Sequence, residues 1–92
     1  MIKSFRHKGL ELFFTRGDAK GLQAAQVPRI SRLLDAIDQA DQVEELNVPG
    51  WHLHRLKGEW RHLHSLRVSG NWRVTFQFID GDAHIVNLED YH

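Results

Sequence analysis

Two rhythms of apolar residues divide the chain. Val27, Ile30, Leu33, Leu34 and Ile37 recur at three- and four-residue steps, the stripe of an amphipathic helix. Pro28 suits the first turn of that helix, which is predicted to begin near Ala25 or Gln26. Leu10, Phe13 and Phe14 carry the same spacing between Lys8 and Arg16, and Gly17 is a stop signal. Ile2 to Phe5 reads as a short strand ahead of this first helix. Residues 17–22 read as a loop.

After the turn signal Val48-Pro49-Gly50 the period changes to two. Trp51 to Leu56 alternates, Lys57-Gly58-Glu59 reads as a turn, and Trp60 to Val68 alternates again. Ser69-Gly70-Asn71 is a hairpin turn. The run from Asn71 to Ile79 is the clearest strand, with Trp72, Val74, Phe76 and Phe78 facing one way and Arg73, Thr75 and Gln77 the other. Asp80-Gly81-Asp82 is a second tight turn, and Ala83 to Leu88 is the last strand. Helices followed by a strand meander predict an α+β domain, with two N-terminal helices packed on a small antiparallel sheet.

Ninety-two residues suffice for one such domain, spanning 1–92. No apolar run approaches the roughly 20 residues of a membrane span, and residues 1–12 lack the apolar core of a secretion signal. Cysteine is absent, so disulfides and thiolate metal sites are excluded and a cytoplasmic location is expected.

The formal net charge is zero, but the charges are blocked. Residues 1–34 hold seven bases against two acids, and residues 51–79 hold five bases against one. Residues 35–50 and 80–92 hold five and four acids, with no base. Two basic blocks and seven histidines are compatible with a polyanionic partner.

The chain ends in groups suited to proton transfer and base stacking: Asp90, Tyr91 and His92. If the last two strands pair, Arg73 is expected to be exposed near the sheet edge where Tyr91 and His92 emerge. His54 and Lys57 lie at the end of the first meander strand and in the turn after it. One sheet can therefore gather His54, Lys57, Arg73, Asp90, Tyr91 and His92. Such a set can cleave RNA without metal. The ribose 2′-hydroxyl is the nucleophile, imidazoles move protons, Lys and Arg hold the phosphate, and a tyrosine ring holds an unstacked base. In the plainer alternatives, Asp90 is a salt-bridge partner of Arg73, and Arg55, Arg61 and Arg67 are merely solvated. His52/His54 and His62/His64 form two H-x-H pairs that would share a strand face. Structural zinc favours cysteine or a more closed ligand set, so no metal or other cofactor is expected.

The sequence resembles the HigB toxins of the RelE/ParE superfamily, the toxin halves of bacterial type II toxin–antitoxin pairs. The resemblance rests on residues 1–9 (MIKSFRHKG), the helix from Arg29 to Asp38, Leu53-His54-Arg55-Leu56-Lys57-Gly58, Asn71-Trp72-Arg73-Val74-Thr75-Phe76, Gly81-Asp82-Ala83 and the ending Glu89-Asp90-Tyr91-His92. It departs from the commoner pattern at Arg55, where many relatives have proline, and at residues 59–64 (EWRHLH). The resemblance implies the RelE-like microbial RNase fold and ribosome-dependent cleavage of mRNA in the A site. It also implies a HigA-type helix-turn-helix antitoxin as partner, with operator DNA reached only through that antitoxin. On this resemblance the family's active-site positions fall on the six residues named above. His92 is then the leading proton-transfer group, His54 or Asp90 its opposite partner, Lys57 and Arg73 the phosphate ligands, and Tyr91 the stacking ring. A non-catalytic module that binds antitoxin and acts as co-repressor of its own operon is the alternative.

Overall fold

The computed structural model describes residues 1–90; Tyr91 and His92 lie outside the described residues. The first helix, α1, spans Lys8–Arg16. His7 caps it, its Nδ1 accepting the Leu10 N–H at 3.1 Å. Gly17 ends it in the left-handed conformation (φ 70°), with the Gly17 and Asp18 N–H groups returning to the Phe13 and Leu12 carbonyls. The second helix, α2, spans Val27–Gln39. Pro28 sits in its first turn, where a missing N–H costs nothing, and a short 3₁₀ turn over Ala24–Gln26 leads into it.

Of the two helices, one is the main element. Helix α2 buries Ile30, Leu33, Leu34 and Ile37, the predicted stripe, in the core. Helix α1 is shorter and buries only Gly9 and Leu10, while Phe13 and Phe14 pack partly buried at the margin. The expected pair of helices on the sheet is thus one spanning helix and one short flanking one. Gly9 explains how α1 comes so close to the loop before α2. A Cβ there would lie 2.9 Å from the Gly21 carbonyl oxygen, and one on Gly21 would lie 2.9 Å from the Gly9 Cα.

Four antiparallel strands form the sheet in sequence order: β1 His54–Arg55, β2 His64–Ser69, β3 Trp72–Ile79 and β4 Asp82–Asp90. The apolar face of the sheet, Leu66, Val68, Val74, Phe76, Ala83, Val86 and Leu88, closes the core against α2 and Leu10. Among the described residues no helix is long and apolar enough to cross a membrane.

Three expected strands differ from the observed ones. Residues 2–5 form no strand of their own. They run parallel to β4 through isolated bridges, Ile2 to Ala83 and Phe5 to Val86. The first meander strand shrinks from 51–56 to His54–Arg55, because His52 adopts a left-handed backbone (φ 50°) that breaks extension. The second begins at His64 instead of Trp60. Residues Gly58–Trp60 form a 3₁₀ turn, and the Leu56 N–H donates to the Leu63 carbonyl to close the loop. Alternating residues in 60–63 therefore reflect a loop that tucks Leu63 inward, not a strand.

Candidate active site

The strand register defines what lies on the face turned away from the helices. His54 is opposite Ser65, Ser65 opposite Thr75, and Thr75 opposite Asn87. Two residues further along, Arg67 is opposite Arg73 and Arg73 opposite Glu89. Directly opposed residues share a face, and so do residues two apart on one strand. This face therefore carries two polar rows, His54–Ser65–Thr75–Asn87 and Arg67–Arg73–Glu89.

Arg73 is half-buried, not exposed as expected, and its Nη1 is buried with no hydrogen-bond partner among the described residues. The central position of β3, between β2 and β4, takes the side chain out of water along part of its length. A buried guanidinium N–H without an acceptor costs about 1–3 kcal/mol or more. Arg67 lies directly across from Arg73 on the same face, and like charges so placed repel. Glu89 stands on the other flank of Arg73. Its Oε2 accepts a hydrogen bond from Thr75 Oγ1 at 2.9 Å. Two facing guanidinium groups, one with a buried unsatisfied donor, make a favourable seat for a phosphate, whose oxygens accept bidentate Arg hydrogen bonds.

His54 is exposed on the same face, two strands from Arg73. From strand spacing and rise, the two Cα atoms are about 12 Å apart, a span that two long side chains and one phosphodiester can bridge. The His54 Nδ1 lies 3.0 Å from the His52 carbonyl oxygen. A carbonyl only accepts, so this bond requires the proton on Nδ1 and leaves Nε2 as a proton acceptor. The left-handed turn at His52 that shortens β1 is what directs this carbonyl at the ring. Lys57 is exposed and shares a shallow cleft with His54, Arg55 and Leu56.

Asp90 is exposed at the end of β4, opposite Trp72. The acid opposite Arg73 in the strand register is Glu89. Tyr91 and His92 were placed in the site from sequence and lie outside the described residues. The structure thus brings His54 and Arg73 to one face, with Lys57 beside His54.

Two residues that sequence reasoning passed over join them. Arg67 was read as a solvated charge and Glu89 was given no role. Parity signals the first, since Arg67 and Arg73 are equidistant from the Ser69-Gly70-Asn71 turn. The second depends on the register shift between Thr75 and Gln77.

The H-x-H pairs do not form strand-face pairs. His52 precedes β1 with a left-handed backbone, and His62 is in a turn against Trp60 (ring centroids 6.5 Å). His64 stacks on Phe76 at 5.7 Å. Burial, reinforced by the Arg55 charge, lowers its pKa below 6.5, with Glu44 opposing. No group of three His, Cys, Asp or Glu among the described residues is placed to share a metal ion.

A small antiparallel sheet packed on a main helix, with a basic face opposite, matches the fold of YafQ from Escherichia coli BL21(DE3). The TM-score is 0.57 at 16% identity, covering 96% of this chain and 89% of that one. A YafQ mutant superposes with a TM-score of 0.55 at 15% identity. These likenesses give the fold, and the class comes from the sequence family: a RelE-like toxin of the type II toxin–antitoxin systems. More narrowly, the chain belongs to the HigB-like toxin family, whose model matches residues 3–92. It is 53% identical to the endoribonuclease HigB of Proteus vulgaris over the full length of both chains. It is 29% identical to toxin HigB-1 of Vibrio cholerae serotype O1 over 85 residues, 90% of each chain.

Proposed function

We propose that this HigB-family toxin, an endoribonuclease like its Proteus relative, cuts mRNA in the A site of the translating ribosome by acid–base chemistry that needs no metal. Family membership and full-length 53% identity support the endoribonuclease reading. One structural observation carries the chemistry: the Arg67–Arg73 pair with its buried unsatisfied Nη1, on the face that also holds His54.

In the proposed reaction the scissile phosphate sits against Arg73, with Arg67 and Lys57 adding positive charge. His54 Nε2 takes the proton from the ribose 2′-hydroxyl as O2′ attacks phosphorus. The P–O5′ bond breaks, and a general acid protonates O5′. The products are a 2′,3′-cyclic phosphate and a free 5′-hydroxyl. His92 is the proposed acid, Asp90 the alternative to His54 as its opposite partner, and Tyr91 the ring that stacks on an adjacent base. These three roles rest on the family resemblance. Guanidinium donors aimed at the phosphoryl oxygens stabilise the charge that builds in the transition state.

A toxin of this class has an antitoxin partner. A HigA-type helix-turn-helix protein is the proposed one, in the same cytoplasmic compartment as the ribosomes. Mapping of mRNA ends after induction tests the reading. Wild-type protein is expected to cut inside translated codons, and His92→Ala and Arg73→Ala are expected to cut far less. Translated mRNA left uncut by the wild type, with operator binding by the antitoxin still altered, would instead establish the co-repressor role.

A further inference from the structure

Next to the arginine pair, the same face holds a partly open cleft of about 170 Å³ lined by Arg6, Leu56, Trp60, Leu63, Thr75, Ile85, Asn87 and Glu89. Its position in the fold sets its chemistry. Thr75, Asn87 and Glu89 come from β3 and β4 and form a polar floor. Leu56, Trp60 and Leu63 come from the loop between β1 and β2 and form an apolar wall. Arg6 and Ile85 come from the N-terminal segment and the neighbouring part of β4. Leu56 and Leu63 are buried, whereas Trp60 is 51% exposed.

Three observations argue for a planar polar occupant. First, the volume is well below the roughly 300 Å³ of drug-sized sites, which suits a single ring system. Second, the floor offers hydrogen bonds to a ring edge. Thr75 donates to Oε2 of Glu89 at 2.9 Å and thereby fixes the carboxylate, whose second oxygen can accept a further hydrogen bond. Asn87 supplies an amide with both a donor and an acceptor. Third, the edge of the cleft at Ile85 has a strained backbone. Ile85 is β-branched yet has φ 50°, a conformation that costs on the order of 1–3 kcal/mol. Its N–H is held by Ser4 Oγ at 2.8 Å.

We propose that this cleft is a nucleobase subsite that takes an amino-bearing base (adenine, guanine or cytosine) of the RNA substrate in preference to uracil. The exocyclic amine donates to Glu89 Oε1, a carboxylate-to-amine contact of the kind that reads cytosine N4. Trp60 supplies the ring surface on which the base stacks. Arg6, exposed at one side, meets the adjoining phosphate. Glu89 is the cross-strand neighbour of Arg73, with Cα atoms about 5 Å apart. A base in the cleft is therefore one nucleotide or less from a phosphate on the arginine pair. The subsite rests on the reading of the chain as a ribonuclease, and it makes Glu89 and Trp60 determinants of where the toxin cuts.

The test is an NMR titration of the toxin with AMP, GMP, CMP and UMP, and with inorganic phosphate, following the Trp60 indole N–H. The three amino-bearing nucleotides are expected to shift that signal saturably, with UMP about tenfold weaker. Glu89→Gln is expected to abolish the difference between CMP and UMP, and Trp60→Ala to weaken all four nucleotides. The shifted codon preference of Glu89→Gln on ribosome-bound mRNA supplies a second readout. Equal response to all four nucleotides, a response to inorganic phosphate alone, or a Trp60 shift only on adding the antitoxin would each overturn the subsite. Wild-type cleavage of mRNA would then still stand, whereas uncut mRNA with intact nucleotide binding would overturn the ribonuclease reading alone.

Discussion

The two faces of the sheet are built from alternate residues of the same strands and solve opposite problems. On the helix face, Leu66, Val74, Phe76, Val86 and Leu88 are buried against α2 in a continuous apolar cluster. On the other face, Ser65 and Thr75 are also buried, at 0% and 1% exposure, but they carry hydroxyls and sit among Arg67, Arg73 and Glu89. Burial on the first face removes apolar area from water and stabilises the fold. On the second it removes polar groups from water and leaves Ser65 Oγ and Arg73 Nη1 without partners among the described residues, a cost to the fold. Stability and the proposed function thus divide along the pleat: one face holds the chain together, and the other gathers the polar and basic groups of the candidate site.

Substitutions can break this comparison. The largest expected effect is Phe76→Ala, which removes a fully buried ring from the helix face and is expected to lower unfolding free energy by about 3–5 kcal/mol. Urea denaturation measures it. Arg73→Ala comes next. It is expected to reduce mRNA cleavage by about 10²–10³, the usual loss for one transition-state donor, while the urea midpoint stays level or rises. A marked fall in that midpoint would show that Arg73 supports the fold instead.

Smaller effects sharpen the comparison. Thr75→Val keeps shape but deletes the hydrogen bond to Glu89, with an expected loss of roughly 1.5 kcal/mol in stability. A changed codon preference measured in the same variant would show that the bond also positions the carboxylate. The smallest is a pH effect outside the site. His7, cap of α1, has its pKa lowered below 6.5, mainly by burial, against an opposing backbone hydrogen bond. The folded imidazole therefore resists protonation. Between its folded pKa and 6.5 the unfolded chain binds more protons, so stability is full above 6.5 and falls as pH drops through that window. His7→Asn keeps a capping side chain and is expected to flatten this part of the pH–stability curve; an unchanged slope would clear His7.

Much of the scaffold was legible in the residues themselves. Helix α1 runs between the bounds its spacing and Gly17 imply, and the stripe of α2 is the buried set. The turns at Gly70 and Gly81 fall where their sequences place them. Of the site, His54 and Arg73 fall on one face as alternation and antiparallel pairing require, with Lys57 exposed beside His54. The cleft wall was not legible, because Trp60 to Leu63 alternates like a strand. Only the bond that returns the Leu56 N–H to the Leu63 carbonyl shows that the segment folds over the sheet.

The sequence by itself determined the family, the helices, the hairpin turns and which side chains alternate on β3. The tertiary structure decided which acid faces Arg73. From the Asp80-Gly81 turn, Ile79 pairs with Asp82, Phe78 with Ala83 and Gln77 with His84. Continued unchanged, that register would set Arg73 against Leu88, and an apolar side chain would point into the polar face. A bulge intervenes between Thr75 and Gln77 on the β3 side, and Ile85 takes up its left-handed backbone on β4. Beyond it Arg73 meets Glu89, and Leu88 returns to the core opposite Val74. Because side chains alternate with period two, one inserted residue exchanges the faces. The docking of residues 2–7 beside β4, with Ser4 holding the Ile85 N–H, sustains that insertion, and this long-range contact is not written in the local pattern of either segment.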